Sequence, residues 1–511
     1  MALMTRRPRP EKSRLALALL AALFLFSGPM ARAEEAVGGF WERFIEAYKT
    51  HLAYTGEEVP ETPFRGAPPP LESPPWPGED YAFGGSQVIG HTAPYGGPLN
   101  DAIYGSDWGR GLKDANITLY GWIEPGLNFS TATNKFSISQ GMGGNYPMTY
   151  GYTANRPELN QFAFYVERVP DEVQTDHMDW GFRFTSIYGQ DYKYTFAHDN
   201  GSSQYLKDHH MYGYDICLMC YAELYIPWVA EGMQIRTGRY ISIPDVEAQL
   251  APNNYTYTHS LLYAYDPYTH TGIVDTIKLS RNWVAQVELS AGNDIMAWDS
   301  RYAQLTPGAC LQWTSDDGGD VIYPCINGIN NKKYGYNNVQ DMVMSWYKKF
   351  DDRWHTDFEF WYMWQKETPN INWNGIGVQP IAPILGSNGA YCNSARPSCY
   401  AREFAFVNYL NYQIDHLNAI SLRNEFFNDV NGQRTGIPTW YSEHAIGWQH
   451  WIGDVITIRP EVSFAKSYNQ NAFNASAASM ALGPSPLFPN GVQLGTQNHL
   501  LMFSADAIIH F

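Results

Sequence analysis

From Leu501 to Phe511 every second residue is apolar: Leu501, Phe503, Ala505, Ala507, Ile509 and Phe511. Ser504, Asp506 and His510 fall between them. A period of two over about ten residues describes a β-strand with one greasy and one wet face. A tilted strand of about that length is also what crosses the hydrocarbon layer of a bilayer. The edge strand of a soluble sandwich alternates the same way, so the rest of the chain has to decide. Ending on an aromatic residue, this stretch reads as the closing strand of an outer-membrane barrel.

Strand-like alternation begins at Asn116 and continues to the end. It predicts fourteen strands, over 116–131, 158–168, 179–196, 219–227, 233–242, 271–280, 283–292, 339–350, 354–366, 402–413, 417–428, 440–452, 455–467 and 498–511. The connections decide between sandwich and barrel. Arg281-Asn282, Asp351–Arg353, Ile414–His416 and Gly453-Asp454 are short, while 293–338, 367–401 and 468–497 are long. Short periplasmic turns alternating with long external loops mark an outer-membrane barrel, and a sandwich gives no reason for them. The expected fold class is an all-β, transmembrane antiparallel barrel of about fourteen strands, within a range of 12–16, with both termini periplasmic.

Individual strands show both faces. Trp354, Phe358, Phe360, Tyr362 and Trp364 point one way; His355, Asp357, Glu359 and Gln365 point the other. Trp283, Ala285, Val287 and Leu289 oppose Gln286, Glu288 and Ser290. Ile456, Ile458, Val462 and Phe464 oppose Thr457, Arg459, Glu461 and Ser463. A charge facing lipid at mid-membrane costs a few kcal/mol, so these charges must face a wet interior. A barrel of eight strands can fill such an interior with side chains, whereas one of about fourteen is too wide. Arg183, Arg239, Glu288, Asp357, Glu359, Arg423, Glu443, Arg459 and Glu461 are therefore the expected pore lining.

The N-terminus gives the chain an address. Arg6, Arg7, Arg9, Lys12 and Arg14 precede the apolar run Leu15–Phe26, Ser27-Gly28-Pro29 breaks it, and Ala31-Arg32-Ala33 supplies small residues. This predicts a secretory signal over 1–33, cleaved after Ala33, whose apolar run is too short to span as a helix. Beyond it, residues 34–114 are expected to form a periplasmic extension. Phe40, Trp41, Phe44, Ile45, Tyr48 and Leu52 are spaced for a short amphipathic helix, a proline-crowded linker covers 59–78, and a glycine-rich stretch follows over 81–113. The barrel domain is expected over 115–511.

Charge narrows the partners. The whole chain carries −17. The signal holds six Arg or Lys and one Glu, so the remainder carries −22. That excludes nucleic acid, which demands a basic stripe, and argues against docking on anionic lipid. The 36 Tyr, 17 Trp and 25 Phe suit the aromatic girdles of a barrel. The partners left are outer-membrane lipid, the barrel-assembly machinery, and small hydrophilic solutes or ions. A homo-oligomer stays open.

The six cysteines form three local pairs, Cys217/Cys220, Cys310/Cys325 and Cys392/Cys399, which in an exported chain read as disulfides. The fourteen-strand topology puts all three in, or at the rim of, external loops. Haem attachment needs a His after the second Cys of a C-x-x-C, and Tyr221 follows Cys220. His198, Asp199, His209 and His210 could bind a metal, but loop histidines are usually just solvated. Nucleophile elbow, zinc-protease and phosphate-loop motifs are absent. No catalytic residue, cofactor or metal is assigned.

Residues 238–272 read G-R-Y-I-S-I-P-D-V-E-A-Q-L-A-P-N-N-Y-T-Y-T-H-S-L-L-Y-A-Y-D-P-Y-T-H-T-G. With Gly238-Arg239, Tyr257–Ser260, Tyr268–Gly272 and the early strand Tyr120–Glu124, this resembles the β-barrel porin-2 family, the OmpL-like porins. The resemblance spans roughly 115–511 and implies an outer-membrane pore of unassigned solute.

The connection from Ser242 to His270 is unusually aromatic for an exposed loop, with Tyr255, Tyr257, Leu261, Leu262, Tyr263, Tyr265 and Tyr268. It is expected to fold into the barrel and narrow it; packing over the rim or against a second subunit is the alternative. Inside, Asp245, Glu247 and Asp266, with Tyr255 and Tyr257, would form a constriction. Arg239, Arg423 or Arg459 would face them across a transverse field. The functional expectation is passive diffusion through an outer-membrane porin that prefers cations. A lipid-hydrolysing barrel enzyme and a surface-binding adhesin are the alternatives.

Overall fold

The computed structural model describes residues 38–56, 64–67, 96–133, 144–195, 197–200, 211–242, 245–330, 339–370, 373, 389–392, 395–474 and 495–511. The expected signal, the proline-rich linker for most of its length, and His209 and His210 lie outside these residues.

Sixteen strands follow one another: β1 Thr118–Ser130, β2 Pro157–Arg168, β3 Asp179–Gly189, β4 Gly213–Ile226, β5 Met233–Ile241, β6 Thr269–Lys278, β7 Trp283–Ser290, β8 Thr306–Thr314, β9 Asp320–Asn327, β10 Gln340–Lys349, β11 Trp354–Pro369, β12 Ser398–Asp415, β13 Asn418–Asp429, β14 Thr439–Ile452, β15 Ile456–Ser467 and β16 His499–His510. Each pairs with its sequence neighbours, and β1 pairs antiparallel with β16 to close the barrel. The closing register runs from Trp122 opposite His510 to Ser130 opposite Met502. Closure leaves no ladder edge unpaired, the condition for strands in hydrocarbon, where water cannot satisfy a free amide.

The alternation in β16 is visible in its burial: Phe503 is exposed and Leu501, Ala505, Ala507 and Ile509 are partly so, while Ser504, Asp506 and His510 are buried. The same holds along β7, β11 and β15. Exposed Ile123, Leu127, Phe129, Ile273, Val287, Met342, Phe360, Leu422, Ile446 and Phe503 give the outer face its apolar character.

The strand count corrects the expected fourteen. Both missed strands lie within 293–338, expected as one long loop, and both carry residues that read as loop. β8 is T-P-G-A-C-L-Q-W-T and β9 is D-V-I-Y-P-C-I-N. Proline within a run demotes it because it cannot donate to the ladder. Here Pro307 and Pro324 sit on the outward face, and the β8–β9 pairing leaves out Leu311 and Gln312 on one side and Tyr323 and Pro324 on the other.

Two of the three cysteine locations are corrected with it. All three expected pairs are bonded, but Cys310–Cys325 joins directly opposed residues of β8 and β9 in the barrel wall. Cys217–Cys220 lies wholly within β4, and Cys392–Cys399 ties the approach to β12 to its second residue.

Seven connections, from two to ten residues long, lie at the end where the chain enters β1; the eight at the other end run from nine to thirty-one. At the short-turn end sit helix α1 (Phe40–Leu52), α2 (Pro98–Tyr104) and α3 (Asp107–Asp114). α1 is the expected amphipathic helix. The other two fall in the glycine-rich stretch that shows no period. Ser106 caps α3 by accepting a hydrogen bond from the Gly109 amide. His51, at the end of α1, bridges Asp454 in the β14–β15 turn (2.9 Å) and Asp101 in α2 (3.0 Å). Tyr48 donates to the His510 carbonyl, and Asn100 accepts from the Leu119 amide.

Candidate functional site: the loop inside the barrel

Inside the barrel, between β5 and β6, lies the loop of residues 245–268. Ser242 closes its neck, donating from its amide to the Tyr268 carbonyl (2.8 Å) and from Oγ to the Pro267 carbonyl (2.8 Å). Inside, Asn254 folds the chain on itself, accepting from the Ala248 amide (2.8 Å) and donating to the Ala248 and Leu250 carbonyls. Glu247 accepts from the Ser260 amide at 3.0 Å. Ser260 in turn caps the single helical turn α4, Leu261–Ala264, through the Tyr263 amide.

Wall carboxylates hold this loop. Glu359 of β11 accepts from the Val246 amide (2.7 Å), Glu461 of β15 from the Thr258 amide (2.8 Å), and Glu425 of β13 from the Leu261 amide (2.7 Å). Asp357 accepts from the Tyr255 hydroxyl (2.9 Å). A buried amide left without a partner costs about 1–3 kcal/mol, so these acceptors fix the loop's path. Across the barrel, Gln161 of β2 donates to the Gln249 carbonyl (2.7 Å), and Asn160 donates to the Tyr257 hydroxyl (3.0 Å). The loop therefore spans the interior from β5 and β6 to β11–β15 and back to β2.

A close approach at β1 makes room for it. A Cβ on Gly126 would lie 2.5 Å from the Tyr257 hydroxyl oxygen. A second segment that carries no strand pattern also enters. Tyr146, Met148, Tyr150 and Tyr152, between β1 and β2, are buried. The Tyr150 ring stacks on His259 at 3.6 Å, and His259 on Tyr263 at 5.1 Å.

The five expected constriction residues, Asp245, Glu247, Tyr255, Tyr257 and Asp266, are all buried in this loop, but at different places. Tyr255 and Glu247 face the β11–β15 wall, Tyr257 faces β2, and Asp245 and Asp266 meet Glu359. Of the expected lining, Arg423 pairs with Glu443 (2.7 Å) and Glu461 (3.3 Å), and Arg459 with Asp506 and Glu124. Arg183 pairs with Glu167 (2.7 Å), Arg239 with Asp215 (2.8 Å), and Glu288 with His270 (2.6 Å). Arg183, Arg239, Arg423 and Arg459 are thus each neutralised by a wall carboxylate. Arg423 and Arg459 also donate to the loop's Thr256 hydroxyl and Ala251 carbonyl, at 2.7 Å each. That arrangement replaces the expected transverse field between bare arginines and loop carboxylates.

Glu425, Glu124 and Arg434 were not among the expected lining residues. Glu425 was legible as the residue two after Arg423, on the same face of its strand. Arg434 sits in the β13–β14 loop and donates to the Tyr265 carbonyl (2.6 Å), a contact no local pattern announces. His198, set aside as solvated, bonds Asp299.

The family model described as "Putative beta-barrel porin-2, OmpL-like" matches residues 116–511. No curated protein matches the chain significantly in sequence. Similar solved structures include an anion-selective porin from Comamonas acidovorans, at 8% identity and TM-score 0.48, covering 77% of this chain and 99% of that one. The outer membrane channel DcaP of Acinetobacter baumannii stands at 10% and 0.45, covering 77% and 97%, and OmpT of Vibrio cholerae at 8% and 0.43, with the same coverage. Likenesses this distant carry no argument about what passes.

Proposed function

This chain belongs to the OmpL-like β-barrel porin-2 family, an outer-membrane porin family, and on that premise we propose a cation-preferring channel for small hydrophilic solutes and ions. Charge inside the barrel supports the preference. Among the described residues 23 Asp and Glu are buried against eight Lys and Arg. Residues 245–268, which cross the interior, include Asp245, Glu247 and Asp266 and neither Lys nor Arg. An aqueous path lined this way attracts cations and repels anions, because low-dielectric walls weaken screening. The short-turn end, with α1–α3, is assigned to the periplasm and the long loops to the outside, following export on a signal cleaved after Ala33.

The test is the reversal potential of single channels under a salt gradient. Wild type should reverse on the cation side, and Asp245→Asn with Glu247→Gln should move the potential toward zero. Anion preference in the wild type, or an unmoved double variant, would remove this loop from selectivity.

A further inference from the structure

The two ends of the lumen loop carry carboxylates that come together on the far wall. Asp245 lies just after the neck, Asp266 just before it, and Glu359 projects inward from β11. One carboxylate oxygen from each lies within 4.8 Å of the other two, and all three side chains are buried.

Three clustered carboxylates alone would say little. The second observation is what they lack. Asp245 is 1% exposed, and among the described residues neither of its oxygens receives a hydrogen bond from outside the three carboxyl groups. Glu359 uses Oε2 for the Val246 amide, while its buried Oε1 receives none. Among the described residues no Lys or Arg pairs with Asp245 or Glu359. The Arg434 guanidinium beside Asp266 donates to the main-chain carbonyls of Tyr265 and Asp266, at 2.6 and 3.4 Å. Buried carboxylate oxygens left this way require a proton or a cation.

We propose that Asp245, Asp266 and Glu359 bind one calcium ion, which ties both ends of the lumen loop to β11. The donors are all hard oxygens, with neither His nor Cys in the cluster, which suits calcium and not zinc or copper. Two oxygens on one calcium at about 2.4 Å can stand at most about 4.8 Å apart, which the cluster satisfies. Magnesium keeps several of its waters, and a site this buried has little room for them. With the ion bound, three negative charges fall to one, which lets the group stay ionised out of bulk water. The site stands whether or not the channel prefers cations.

Calcium binding tests this without reference to conduction. Purified full-length barrel in detergent is stripped with EGTA and titrated with calcium by calorimetry, with terbium luminescence as a second probe. Wild type should take up one calcium per chain. Asp245→Asn and Glu359→Gln should each weaken binding at least about tenfold, as losses in a metal's surroundings do. Heat-modifiable migration on gels shows that each variant is folded. If a variant does not fold, the wild-type stoichiometry and terbium signal carry the test. A wild type that binds neither ion, or binds both as well after loss of Asp245 and Glu359, overturns the proposal and leaves a proton shared between Asp245 and Asp266. Reversal potentials recorded in EGTA test the selectivity reading separately.

Discussion

Replacing His51 by Gln should loosen helix α1 from the barrel's short-turn end, with an effect that disappears in alkali. The imidazole is 6% exposed and sits between Asp454 and Asp101, at 2.9 and 3.0 Å. Burial alone would lower its pKa, but hydrogen bonds and charge from the two carboxylates outweigh that and hold it up to about 9. The whole shift from 6.5 corresponds to about 3 kcal/mol. Asp101 is 58% exposed, so water screens that arm and about 1–2 kcal/mol is the figure to expect. Because the docked pKa lies above the free one, docking binds the proton. The stabilisation is complete below about pH 6.5, declines from there, and is gone above about pH 9. Amide hydrogen exchange over 40–54, corrected for intrinsic rates, reads the helix directly. Wild-type protection should fall roughly 5- to 30-fold between about pH 6 and about pH 9.5. His51→Gln should show the low value at both. A flat wild-type profile, or the same slope in the variant, would refute the reasoning.

Gly126→Val should push Tyr257 away from β1, at a cost of about 1–3 kcal/mol; noisier single-channel currents with an intact barrel melt are expected, and unchanged currents would mean the loop does not bear on the path. An epitope tag at Asp317, in the β8–β9 turn, should be silent on intact cells, while one within 370–397 should be detected. Labelling of the Asp317 tag on unbroken cells would invert the assigned topology.

Much of this molecule can be read one residue at a time. The alternation in β16, β11 and β15 is legible because lipid on one side and a polar interior on the other leave each position a single chemistry. The loop at 242–268 gives itself away by carrying eight Tyr or Leu where a solvated loop would be polar. The strands β8 and β9 hide because Pro307 and Pro324 break the local rule, yet Pro307 pairs with Leu289 of β7 and Pro324 with Met344 of β10, a fact of pairing and not of sequence. Glu425 at the Leu261 amide, and Asp245 beside Glu359, are meetings of residues more than a hundred positions apart. No local pattern contains them.

Three of the wall carboxylates that hold the lumen loop accept from its backbone amides, at Val246, Thr258 and Leu261. Every residue but proline supplies the same amide. Path and chemistry are therefore written in different places: the trajectory across the barrel is encoded in Glu359, Glu461 and Glu425, far along the chain, and the loop's own side chains decide what a passing solute meets. Val246 and Leu261 can be exchanged for any residue but proline that fits without cutting an anchor, whereas Thr258 also holds Glu461 and Arg423 through its hydroxyl, so the lining of this barrel can be rewritten at the first two positions while its geometry stays where the wall puts it.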